Sequence, residues 1–118
     1  MPPQDLIRDL QARGLKVRPE PSMLPGGPYV IIDDYEVPVG QHHGKKITLA
    51  IPTPGDFPIT PPGGIHIIPH LIQVGTRNVH QSPMGAEWQY WSRPIVDWRH
   101  DRSTARLMSH VNRLMLDA

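Results

Sequence analysis

The sequence predicts an α+β domain: one helix, a meander of four antiparallel strands, a long irregular loop and a closing helix. Three observations predict it. Apolar residues alternate in four short runs joined by turn-rich connections, the pattern of half-buried strands. Five prolines crowd residues 52–62 between two strand-like runs, and proline's fixed φ and missing backbone donor bar that connection from being helix or central strand. Residues 102–116 carry an amphipathic stripe. At 118 residues, one domain spanning 1–118 is expected, large enough for a core without staples.

Taken in order, residues 3–13 read as a short helix. Leu6, Ile7 and Leu10 share a face, prolines precede it, and Gly14 stops it. Leu15 to Arg18 alternates apolar and basic as a weak edge strand, broken by Pro19 and Pro21, and residues 22–28 read as a turn or loop. Tyr29 to Val37 is the clearest strand. Simple alternation puts Tyr29, Ile31, Asp33, Tyr35 and Val37 on one face, with Val30 and Ile32 on the other. The hairpin connection 38–46 brackets His42 and His43 with glycines, and Ile47 to Ile51 is the next strand. Then come Pro52, Pro54, Pro58, Pro61 and Pro62, a stiff surface connection that Phe57 must pin to something, before a fourth strand at 65–68. Residues 70–90 show no secondary-structure signal, which marks either a functional loop or elements that the pattern misses. Asp101 is the expected N-cap of the last helix, and Leu107, Met108, Val111, Leu114 and Met115 form its apolar stripe.

Composition excludes several functions. With 12 basic and 11 acidic residues well mixed, there is no electrostatic case for nucleic acid. The chain has no cysteine, hence no disulfide, no thiolate metal site and no thiol nucleophile. No apolar run approaches a membrane span and the start lacks signal-peptide character, so a soluble cytoplasmic protein is expected.

The order of elements, with two local motifs, resembles the ubiquitin-conjugating (UBC) fold. Phe57-Pro58-Ile59-Thr60-Pro61-Pro62 matches that family's "YP-x-x-PP" connection with Phe for Tyr, and Trp91-Ser92-Arg93-Pro94 matches its "W-S-P" motif with one inserted residue. The spacing of Trp88, Trp91 and Trp98 before the last helix is similar to the bacterial branch called prokaryotic family E. The resemblance covers nearly the whole chain. It implies a UBC-like fold and, as partners, a ubiquitin-like modifier with the activating enzyme or deconjugating protease of its pathway, in a setting associated with defence against phage. It implies no cofactor. The departure matters as much. Neither the family's active-site cysteine nor its His-Pro-Asn motif is present, and thioester transfer needs a thiolate as nucleophile and leaving group.

Candidate residues follow from this. Ser82 lies about where the missing cysteine would fall, two residues after His80. A serine with a nearby histidine could hold the modifier as an oxyester, with Asn78 resembling the oxyanion-stabilising Asn. The plainer alternative is a turn in which Ser82 bonds backbone. His66, His70 and His80 are the best metal trio, yet lack acidic company and ligand spacing, so no metal site is expected. Partner contacts fall by analogy on the first helix, on Gln41, His42 and His43, on the proline loop with Phe57, and on Trp88 and Arg93, with the modifier near 76–88. Trp91 and Trp98 read as packing. Two principal functions remain: a cysteine-less binding or scaffold component of a ubiquitin-like pathway, or an unconventional conjugating enzyme acting through Ser82. A UBC-like interaction module unrelated to conjugation is the third.

Overall fold

The computed structural model describes residues 2–20 and 27–118; most of the turn expected over 22–28 falls outside them. Helix α1 (Pro3–Ala12) begins with proline at its first position, where no N–H is needed, and buries Leu6 and Leu10 completely. It stops as expected before Gly14, whose φ of +84° suits a glycine. Strands β1 (Lys16–Glu20), β2 (Tyr29–Glu36), β3 (Lys46–Pro52) and β4 (Gly64–Ile68) then form the expected antiparallel meander, except that β1 does not break at Pro19 but runs through it, paired with Val30, as an outer strand tolerates.

The 70–90 stretch is not without structure. It supplies β5 (Val79–Gln81) and the start of β6 (Gln89–Ser92), giving one six-stranded antiparallel sheet in the order β1-β2-β3-β4-β6-β5. A 3₁₀ turn (Trp98–His100) precedes helix α2 (Thr104–Asp117). That helix is capped by Ser103, whose side chain accepts the Arg106 N–H, and not by Asp101. All five residues of the predicted stripe of α2 are buried.

The face assignment along β2 also needs correction. Between Ile32 and Tyr35 the pairing with β3 shifts, so that Asp33 and Asp34 are accommodated in a bulge, Asp34 at φ 52°. The extra residue turns Tyr35 and Val37 onto the face of Val30 and Ile32. That face packs against α1 and α2 as the main core, where the Tyr35 hydroxyl donates to Asn112 Oδ1 at 2.8 Å. Thr104 Oγ1 donates to Asp9 Oδ2 at 2.7 Å and ties the two helices together. The opposite face carries a small cluster of Tyr29, Ile31 and Ala50, partly covered by Met84 and Trp88.

The proline connection is pinned as its sequence demands. Phe57 is buried with its ring centroid 6.3 Å from that of Trp98, and Trp98 Nε1–H donates to the Pro58 carbonyl at 2.7 Å. At its far end Gly64 lies so close to the Trp91 carbonyl that a Cβ would collide with that backbone oxygen.

Candidate functional site

The sheet register lines up Ile31, Ala50, His66, Tyr90 and His80 across five strands on the face away from the main core. His66 sits in the middle of that row. Its ring lies 4.5 Å from Tyr90 and meets Tyr29 edge-on at 5.1 Å. Its Nδ1 is 2.7 Å from Ser82 Oγ, which in turn accepts the Met84 N–H at 3.0 Å. The imidazole that meets Ser82 therefore comes from β4, sixteen residues away. His80 is exposed on β5, its ring centroid 6.4 Å from that of Tyr90.

Burial drives the pKa of His66 down to about 4, so the ring is neutral at physiological pH. The bonding is satisfied when the Ser82 hydroxyl donates to Nδ1 and the ring proton sits on Nε2. This is the geometry of a serine–histidine pair, but its base is weak and its serine is only 4% exposed. Beside it, Pro52, Pro61, Pro83, His66 and Tyr90 line a largely apolar cavity of about 500 Å³.

The loop before β5 is held by one residue that sequence reasoning passed over. Gln89 is fully buried. Its Oε1 accepts the N–H groups of Leu71 and Ile72 and the Trp91 indole N–H, while its Nε2 donates to the Ile72 carbonyl at 2.7 Å. Asn78 lies in the tight turn Thr76–Val79, with Arg77 at φ 51° and Asn78 at φ 60°, the geometry of a primed hairpin turn. It is exposed, at the opposite end of β5 from Ser82, and its carbonyl accepts the Ser92 N–H. His70 donates through Nε2 to the Trp88 carbonyl at 3.1 Å. Among the described residues no three His, Asp or Glu side chains converge as metal ligands.

The Prokaryotic E2 family E model matches residues 1–117 of the chain. The chain belongs to this family. Comparison with curated proteins and with solved structures returns no match. Among the described residues no helix is long and apolar enough to cross a membrane.

This family E chain has no cysteine with which to perform thioester transfer. Its surfaces sort the remaining candidates. Gln41 and His43 are exposed at the β2–β3 hairpin, whereas His42 is buried with Nδ1 3.0 Å from Lys45 Nζ. Burial and the neighbouring Lys45 and Arg77 charges hold the His42 pKa low. Phe57 anchors the proline loop from inside, so the loop's outward apolar group is Ile59, 65% exposed. Val96, 66% exposed, lies in the connection after β6, which the Trp98–Pro58 bond ties to the proline loop. Trp88 is half-buried on the outer face, and the Arg93 carbonyl accepts the His110 Nε2 proton at 3.3 Å. In the sequence Ile59 is marked only by the adjoining Pro58 and Val96 only by Pro94 two residues before it, and the pairing of His66 with Ser82 had no local signal at all.

Proposed function

We propose that this chain is a non-catalytic, E2-like binding component of a bacterial ubiquitin-like modification pathway. Its partners would be the modifier and the activating or deconjugating enzyme. The observation that carries this reading is a conjugating-enzyme family match over 1–117 in a chain without a thiol. Two features support it. Ser82, the nearest substitute nucleophile, is buried, already accepts the Met84 N–H, and faces a weakly basic imidazole. Ile59 and Val96 each expose an apolar side chain on loops linked by the Trp98–Pro58 bond, and exposed apolar anchors are what a protein partner buries. A role in defence against phage is the setting that the family suggests.

The Ser82–His66 contact favours one competing reading, an oxyester carried on Ser82 with His66 as base. One experiment separates them. The protein is incubated with a bacterial ubiquitin-like modifier, its activating enzyme and ATP, then analysed for covalent adducts and for binding. Binding at about micromolar Kd that weakens at least about tenfold in an I59D/V96D double variant, with no adduct, is the expected result. A hydroxylamine-sensitive adduct lost in Ser82→Ala would establish the catalytic reading instead. If neither adduct nor binding is found, the chain is an interaction module outside conjugation.

A further inference from the structure

On the outer side of α2 lies a groove of about 470 Å³ that shares Val96 with the apolar surface described above and adds a cationic rim that the proposed role leaves unused. Its apolar lining comes from Pro94, Val96 and Leu114, and its cationic rim from Arg93, Arg106 and Arg113. The helical positions 106, 110, 113, 114 and 117 fall on one side of α2 because side chains three and four apart are neighbours. The strand-to-helix connection brings Arg93 to meet them, fixed by the His110 bond to the Arg93 carbonyl.

Two features of this groove point to an occupant. The first is charge. Among the described residues neither Arg93 nor Arg106 has a carboxylate partner, and the Arg106 side chain is held by the Val96 carbonyl. Arg113 has only Asp117, at 3.4 Å on the open surface, a weak pair. Three guanidiniums thus face one acid in a chain whose overall charge is only +1. His110 adds no charge at neutral pH, since burial and the adjacent arginines keep its pKa low. The second feature is the apolar floor. A nucleic acid would call for a longer basic track and flat stacking surfaces, which a mixed-charge chain of this size lacks. Carboxylates on either side of a small apolar residue match both features, because arginine forks bind carboxylates bidentately.

We propose that the groove between α2 and the 93–96 segment binds an acidic peptide segment of a partner protein, with carboxylates on Arg93, Arg106 and Arg113 and an apolar side chain over Leu114. Asp117 competes for Arg113 and limits the affinity. The groove shares Val96 with the proposed partner surface and does not involve Ser82, and its arginines can be altered with Ile59 and Val96 intact.

The test uses the full chain and a fluorescent ten-residue peptide of alternating Glu and Leu, with a Gln–Leu peptide as control. Fluorescence anisotropy and backbone amide NMR shifts are read at low and physiological salt. The acidic peptide should bind at least about tenfold tighter than the control, with salt-sensitive affinity and shifts confined to 93–97 and 106–117. An R93Q/R113Q variant, which leaves the Arg106–Val96 bond intact, should lose about tenfold or more, and Asp117→Asn should bind more tightly than wild type. A gain of binding cannot come from unfolding, so the Asp117 variant guards the test against a folding artefact. Equal binding of the two peptides, shifts centred elsewhere, or displacement of the peptide by an equimolar single-stranded oligonucleotide would each overturn the proposal.

Discussion

Gln89 does more for the structure than its residue type suggests. A buried side-chain amide is costly unless every donor and acceptor is matched, and here one carbonyl oxygen takes three N–H groups while the amide nitrogen returns a bond to Ile72. Replacing it with an apolar residue of similar size strands the Trp91 indole N–H and two loop amides. Gln89→Leu should therefore cost about 2–4 kcal/mol in urea unfolding, against less than about 1 kcal/mol for a surface change such as Gln73→Leu. Equal losses in the two variants would show that the loop finds other partners. Ser82 and His66 obey the same rule of matched polar groups, reached by chain segments sixteen residues apart. Only the sheet register brings them together, which is why adjacency in sequence had suggested His80.

At the scale of elements, the predictions from the residues held where a pattern ran long and failed where it was interrupted. The stripe of α2 repeats over two turns, and all its members are buried. The β2 alternation breaks at Asp33-Asp34, which a period of two cannot anticipate, because one inserted residue reverses every side chain beyond it. β5 and β6 span only three and four residues and carry His80, Gln81 and Gln89, so too few apolar positions announce them. Their pairing with β4 supplies the order the sequence lacks. The bulge itself is testable. Asp34 holds a left-handed φ of 52° and its pair with Lys16 is exposed, so Asp34→Gly should leave stability within about 1 kcal/mol of wild type. Asp34→Val, β-branched in that conformation, should cost about 1–2 kcal/mol, and deletion of Asp34 should prevent folding by turning Tyr35 and Val37 outward. A deletion variant with native melting behaviour would rule out that account of the core. The proline connection makes a milder demand. Pro61→Ala with Pro62→Ala should lower stability by about 1 kcal/mol through the entropy of the unfolded chain, read as a drop in melting temperature.

For the whole molecule, acid is the natural stress. His42, His66 and His110 all have pKa values lowered by burial, His66 to about 4 from an ordinary 6.5. A histidine whose folded pKa is depressed leaves the unfolded chain binding more protons, so stability falls as pH drops through 6.5 towards 4. His66 alone accounts for about 2–3 kcal/mol of that loss. Urea midpoints measured from pH 7 to 4.5 should decline, and the decline should be shallower in His66→Gln; parallel slopes would exclude His66 as a contributor. The order of the sheet also bears on how the protein behaves among copies of itself. Among the described residues its two outer strands are β1 and β5. One contains Pro19, which has no N–H to offer, beside Lys16 and Arg18, and the other is only three residues long. Neither offers a long uncharged row of backbone groups on which a second sheet could zip, so a six-stranded sheet left open at both sides can stay solitary at high concentration.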